Sequence, residues 1–137
     1  MVSDAARVAA VVLAVLGSIS LLAGGVLIAA ILSGATDAFG AAIFRKADVD
    51  GATALAVGLL ASGVAGVALG IGAWSGRAAA RGAGIAYTLV LAAAAILVAT
   101  TNVVGRPPTG VMLVAWALAL GHLFVAAVFA AGWHRRG

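Results

Sequence analysis

Four long stretches of this chain, 8–36, 51–76, 82–105 and 107–133, contain no Lys, Arg, Asp or Glu. An α-helix rises about 1.5 Å per residue, so a hydrocarbon layer of about 30 Å is crossed by about 20 apolar residues. Each stretch is long enough to do this. Inside a bilayer no water is available to the backbone, and a helix satisfies its own N–H and C=O groups. The pattern therefore predicts four transmembrane helices.

Composition favours lipid over water as the surroundings of these helices. Hydrophobic residues make up 65% of the 137 residues and charged residues 9%, against about 25% charged in typical soluble domains. A small chain buries only about 60–70% of the surface that it exposes when unfolded. The remainder would here be largely apolar, so we expect the lipid bilayer to cover it.

The expected fold class is all-α, an integral membrane four-helix bundle with antiparallel up-down-up-down topology. The chain forms one domain, 1–137, with spans at about 8–32, 52–74, 82–104 and 111–133 and an outer loop at 33–51. The short turn from Ser75 to Arg81 predicts that spans two and three are antiparallel neighbours. Pro107 and Pro108 end the third span, because proline removes a backbone donor and disfavours helix in the residue before it.

Basic residues predict the orientation, because short cytoplasmic loops carry an excess of Lys and Arg. With the N-terminus inside, the inner side carries five basic residues and the outer side three. The inner set is Arg7, Arg77, Arg81, Arg135 and Arg136, and the outer set is Arg45, Lys46 and Arg106. We expect a multi-pass protein of the plasma (inner) membrane with both termini in the cytoplasm. The net charge of +4 is thus read as a topology signal, and no nucleic-acid partner is expected.

Small residues recur at four-residue intervals along the second span. In lipid, helices associate through close packing and polar contacts, and small side chains let two backbones approach. A chance pattern is the alternative, since the chain has 19 glycines. Such a face serves either the bundle itself or another subunit, and we favour the bundle. The predicted helix-packing residues are Ala54, Gly58, Ser62, Gly66 and Gly70.

His122 is the main candidate for a functional site. It lies midway along the fourth span, and an ionisable residue at membrane depth indicates a proton carrier, a metal or haem ligand, or an anchor for a lipid-like ligand. The structural alternative is a neutral imidazole bonded to a hydroxyl or carbonyl of a neighbouring helix. Tyr87, Thr101 and Asn102 complete the candidate intramembrane polar site. Serine and threonine in spans are expected mainly to bond back to their own helix or across to a neighbouring helix.

The sequence lacks residues that several classes of membrane protein require for their function. The chain has no Cys and no Glu, and no Asp lies in a predicted span. Carboxylate-dependent carriers need an acid at membrane depth, and zinc peptidases need one on a motif helix. Haem held by two histidines of one chain needs a second histidine at that depth. We therefore predict no catalytic residues, no metal site and no cofactor.

The turn between spans two and three carries a family resemblance. Gly76-Arg77 and Ala80-Arg81 stand within the segment 72–84, between two apolar spans. In this segment and in overall layout the chain resembles small four-span membrane proteins of unknown function from actinobacteria. The resemblance implies two helical hairpins, the first with the longer outer loop, and it implies no activity.

Three functions are compatible with these features. The favoured one is a small non-catalytic membrane protein, an accessory or assembly subunit that packs as a homo-oligomer or against a larger membrane complex. A small transporter, channel or lipophile-binding protein with a cavity near His122 is the second. A small lipid-modifying enzyme is the third, and the missing acids and thiols disfavour it.

Overall fold

The computed structural model describes residues 4–33, 49–100 and 109–134, and all regular secondary structure in these ranges is helical. The four helices are α1 (Asp4–Leu32), α2 (Val49–Trp74), α3 (Ala78–Thr100) and α4 (Thr109–His134). Most of the predicted outer loop, 33–51, and the prolines at 107 and 108 lie outside the described residues. The helices cover the central parts of all four predicted spans.

Each of the four helices is long and apolar enough to cross a membrane. The qualifying segments are Asp4–Leu32, Thr53–Trp74, Ala78–Leu97 and Met112–Gly132. Large apolar side chains are exposed along every helix, among them Leu22, Val64, Val90 and Leu120. Such surface is costly in water and costs little in hydrocarbon. The prediction of an all-helical chain with four candidate membrane spans is thus confirmed for the described residues.

The link between α2 and α3 is shorter than predicted. Gly76 adopts a φ of 84°, a left-handed conformation that glycine tolerates because it has no Cβ. The Gly76 N–H donates to the carbonyl of Ala73 and the Arg77 N–H to that of Gly72, each at 3.1 Å. These two bonds close the end of α2 as a Schellman motif. Only residues 75–77 separate the helices, so Arg81 lies in the first turn of α3 and not in the turn itself.

The most extensive helix pairings join consecutive helices, α1 with α2 and α3 with α4, and smaller contacts join α1 with α4 and α2 with α3. The helices thus follow one another around a ring. An apolar cluster holds three of them together, with Ala9, Ala10 and Leu13 from α1, Ala73 from α2, and Val125 and Phe129 from α4. Gly84 of α3 reaches the same cluster, because a Cβ built on it would lie 3.0 Å from Cε2 of Phe129.

Candidate functional site

Backbone-to-backbone contact between α1 and α2 forms one wall of the candidate site. A Cβ built on Gly17 would lie 2.7 Å from the Val67 nitrogen, and one built on Gly63 would lie 2.8 Å from the Gly17 carbonyl oxygen. Real Cβ atoms essentially never come this close to backbone. Only glycine therefore fits at Gly17 and Gly63 without separating the helices.

The contact repeats every seven residues on both helices. A Cβ on Gly70 would lie 2.8 Å from the carbonyl oxygen of Ala10, and one on Gly24 would lie 3.0 Å from that of Ala56. Seven residues are close to two helical turns, so positions at this spacing return to the same face. We call this set the glycine seam: Ala10, Gly17 and Gly24 on α1 with Ala56, Gly63 and Gly70 on α2. Sequence reasoning missed its α1 half, although the spacing of Gly17 and Gly24 was visible.

The five predicted helix-packing residues do not share one environment. Gly70 lies in the glycine seam, and Gly66 lies beside it, where a Cβ would be 3.0 Å from the Gly17 Cα atom. Ser62 is partly buried and contributes its carbonyl to α3. Gly58 and Ala54 are exposed, and a Cβ on Gly58 would meet nothing within 4 Å. Gly66 and Gly70 thus pack inside the bundle, whereas Ala54 and Gly58 do not.

Tyr87 connects α3 to α2 close to the middle of both helices. Its hydroxyl donates a hydrogen bond of 2.6 Å to the carbonyl oxygen of Ser62. The hydroxyl oxygen of Tyr87 would lie 2.9 Å from a Cβ on Gly66, so the missing side chain at Gly66 makes room for the tyrosine. The Ser62 hydroxyl turns back to the carbonyl of Leu59 at 3.0 Å. Because the acceptor is a backbone carbonyl, the interhelical bond does not depend on the serine side chain.

His122 lies near the middle of α4 and is only 5% exposed. Its ring is tilted by 58° to that of Tyr87, with 6.4 Å between the ring centroids. Nδ1 lies 2.7 Å from the carbonyl oxygen of Leu118. A carbonyl only accepts, so Nδ1 carries the hydrogen and Nε2 of the neutral ring is the acceptor. The Nδ1 partner of the imidazole is therefore one turn back on its own helix, whereas the structural alternative placed the partner on a neighbouring helix.

The hydroxyl groups of Ser18, Ser20, Thr88 and Thr100 bond back to their own helices, which is one of the two expected arrangements. Ser18, Ser20 and Thr100 each donate to the carbonyl four residues earlier, at 2.9, 3.2 and 2.7 Å. Thr88 is fully buried and contacts the carbonyls of Gly84 at 2.7 Å and Ile85 at 3.1 Å. Thr101 and Asn102, the other members of the candidate site, lie outside the described residues.

Arginines gather where α1 begins, α2 ends and α3 begins. The guanidinium carbon of Arg7 lies 5.9 Å from the centroid of the Trp74 ring, within range of a cation–π interaction. Arg77 is exposed in the turn, and Arg81 is only 7% exposed. Sequence reasoning treated Arg81 as a charge beside the membrane. Its burial follows from the early start of α3, which places it on the helix face turned toward the bundle.

The arrangement places one tyrosine and one histidine between helices that pack closely around them. In the described parts of the chain, no group of three or more His, Cys, Asp or Glu side chains is positioned to hold a metal ion. The geometry provides hydrogen-bond acceptors, the Nε2 atom of His122 and the remaining lone pair of Tyr87. No protein-family model, curated protein or solved structure matches this chain.

Proposed function

We propose that this chain is a non-catalytic integral membrane protein that acts as an accessory or assembly subunit, packing against itself or against a larger membrane complex. One observation carries the proposal: the Tyr87 hydroxyl bonds to the backbone carbonyl of Ser62 on a neighbouring helix. The hydroxyl groups of five other residues bond to carbonyls of their own helices: Ser18, Ser20, Ser62, Thr88 and Thr100. In lipid an interhelical hydrogen bond such as that of Tyr87 stabilises helix association. A transporter or enzyme would need several of these hydroxyl groups to face a substrate instead.

The proposed topology is an antiparallel up-down-up-down bundle in the plasma (inner) membrane. The order of contacts in the glycine seam supports it, because the partners of Ala10, Gly17 and Gly24 fall from Gly70 through Gly63 to Ala56. Both termini are proposed to lie in the cytoplasm. Arg7 and the turn at Arg77 lie at the same end of the bundle, because Arg7 contacts Trp74. Arginine prefers the cytoplasmic side of a membrane, which supports this orientation. Kinship with small actinobacterial four-span proteins is a further proposal, suggested by segment 72–84.

The outward face of α2 supports a role in assembly. Small residues lie there at alternating steps of four and three, and most of them are exposed: Ala54, Gly58, Ala61, Ala65 and Ala68. The bundle does not use Gly58, since nothing lies within 4 Å of the Cβ position. Small residues at this spacing allow the close approach that helix pairs in membranes use.

Purification in mild detergent tests the proposal. We expect either stoichiometric partner proteins or a discrete oligomer of the chain itself. Gly58→Leu should abolish that association and leave the melting temperature of the isolated chain unchanged. The matched control is Val57→Leu, which enlarges an exposed neighbouring side chain and should leave association intact. A monomer without protein partners at every detergent concentration would contradict the assembly role.

A lipophile-binding function is the second candidate, and the geometry of His122 favours it. With Nδ1 bonded to Leu118, the Nε2 atom is an acceptor that suits a lipophile carrying a hydroxyl group. Extraction of the purified protein with organic solvent distinguishes the two functions. A neutral lipophile bound in stoichiometric amount, and lost in His122→Leu, would favour binding over assembly.

A further inference from the structure

We propose that the arginine end of the bundle binds the headgroup of an anionic phospholipid. The surface consists of Arg7, Trp74 and Arg77, with the buried Arg81 beneath it, and we call it the arginine end. The inference rests on the proposed membrane insertion and adds a specific lipid class to it. It concerns a different part of the molecule from the polar groups around Tyr87.

Local structure fixes the members of the arginine end relative to one another. The Schellman bonds that close α2 hold Arg77 directly after the end of the helix that carries Trp74. The Arg81 N–H donates to the carbonyl of Arg77 at 3.3 Å, so these two arginines are one helical turn apart. The contact of Arg7 with the Trp74 ring brings the start of α1 to the same place.

Charge at this end favours an anion. Among the described residues near it, Arg7, Arg77 and Arg81 carry three positive charges, and Asp4 in the first turn of α1 carries one negative charge. Arg81 is only 7% exposed, so the exposed charge of this end comes from Arg7 and Arg77, both on the surface. Unlike charges attract most strongly at the edge of an apolar layer, where the dielectric constant is lower than in water.

The kind of anion follows from the location. Trp74 is half exposed and ends an apolar helix, and indole rings prefer the level of the lipid headgroups. Arginine binds phosphate oxygens through its fork of N–H groups. A phosphate ester joined to acyl chains would contact the arginines with its headgroup and the exposed apolar sides of α1 and α2 with its chains. We therefore commit to an anionic phospholipid over free phosphate.

Lipid retention measured by native mass spectrometry tests the inference. The detergent-purified chain is incubated with equal amounts of phosphatidylglycerol and phosphatidylcholine, and the bound lipids are counted. We expect at least a fivefold preference for phosphatidylglycerol. It should disappear in the double variant Arg7→Gln, Arg77→Gln and be reduced but not abolished in Arg7→Lys, Arg77→Lys, because lysine keeps the charge without the fork of N–H groups. Arg106→Gln removes one positive charge elsewhere in the sequence and should keep the preference.

Competition with inorganic phosphate identifies the source of the phosphate group. Binding of phosphatidylglycerol that persists in millimolar phosphate supports a lipid site, whereas complete displacement would overturn the lipid assignment. Equal retention of both lipids, or equal preference in the wild type and the glutamine variant, would also overturn it. Circular dichroism of each variant shows whether it is folded. Failure of membrane insertion itself is recognised separately, by a chain that stays monodisperse in buffer without amphiphile.

Discussion

The hydroxyl of Tyr87 donates to the carbonyl of Ser62 across the α2–α3 contact, at 2.6 Å and near the middle of both helices. It spans two helices, whereas the hydrogen bonds of Ser18, Thr88 and His122 lie within one helix. Interhelical hydrogen bonds in membrane proteins contribute about 0.6 kcal/mol on average and up to about 1.7 kcal/mol. The Tyr87 bond is therefore expected to affect the stability of the bundle measurably.

Tyr87→Phe should lower the free energy of unfolding by about 1 kcal/mol, because it removes the interhelical donor and retains the ring. Unfolding in mixed micelles with increasing SDS measures the change. Ser62→Ala is the matched control: it removes the hydroxyl bonded to Leu59 and keeps the carbonyl that Tyr87 uses. It should be close to neutral. An equal loss in both variants would show that the tyrosine bond does not hold α2 to α3.

Gly63→Ala should destabilise the chain strongly, by about 2 kcal/mol or more, since overpacking a close contact typically costs 1–3 kcal/mol. The new methyl group would lie 2.6 Å from the Leu21 Cγ atom and 2.8 Å from the Gly17 carbonyl oxygen. Gly58→Ala on the same helix meets open space and should be neutral or slightly stabilising, as alanine favours helix. Thermal melting in detergent compares the two variants. Similar melting temperatures would argue against the glycine seam.

Gly24 and Gly25 offer the same comparison at adjacent positions of α1. A Cβ on Gly24 would lie 2.9 Å from the Leu60 Cγ atom and 3.0 Å from the Ala56 carbonyl oxygen, and one on Gly25 would meet nothing within 4 Å. Gly24→Ala should therefore lower the melting temperature and Gly25→Ala should not. The effect of Gly24→Ala should be smaller than that of Gly63→Ala, because part of its contact is with a side chain that can move. The reverse order would be incompatible with the described packing.

Phe129→Leu should cost about 1–3 kcal/mol, because a side chain only 1% exposed leaves unfilled space among Leu13, Val125 and Gly84. Phe124 on the same helix is 48% exposed, and lipid can fill the space that Phe124→Leu leaves. That variant should be nearly neutral. Equilibrium unfolding in SDS provides both values. If Phe124→Leu proved the more harmful, the inward face of α4 would be assigned incorrectly.

His122→Leu should affect stability less than Tyr87→Phe does. The hydrogen bond that it removes joins His122 to Leu118 within α4, and leucine has a similar volume. We expect a folded, monodisperse protein with a melting temperature close to that of the wild type. Size-exclusion chromatography and thermal melting check this expectation. Aggregation or a large loss of stability would indicate that Nε2 has a structural partner.

The sequence indicated that small residues of α2 pack closely, but not which of them face another helix. The four-residue series in α2 identified Gly66 and Gly70, which contact α1, together with Ala54 and Gly58, which are exposed. In a chain with 19 glycines, several faces of one helix satisfy the same spacing rule. Which face is buried depends on where the neighbouring helix lies, and a single helix does not specify that.

For the polar site too, the sequence predicted the position of a residue but not its hydrogen-bond partner. The position of His122 in an uncharged stretch was sufficient to place it near the middle of a helix. Its partner, and that of Tyr87, are backbone carbonyls. Every residue has a carbonyl, so no side-chain pattern reveals which one is used. The burial of Arg81 was also missed, because it depends on only three residues separating the end of α2 from the start of α3.

The sequence by itself determined that the chain forms four apolar helices. The length and hydrophobicity of a helix are local properties, which can be read from one continuous stretch of residues. Only the tertiary structure decided that Gly17 meets Gly63 and that Tyr87 reaches Ser62. The physical reason is that lipid solvates all apolar faces about equally. Helix association then depends on backbone shape and on a few directed hydrogen bonds, which exist only once two helices are side by side.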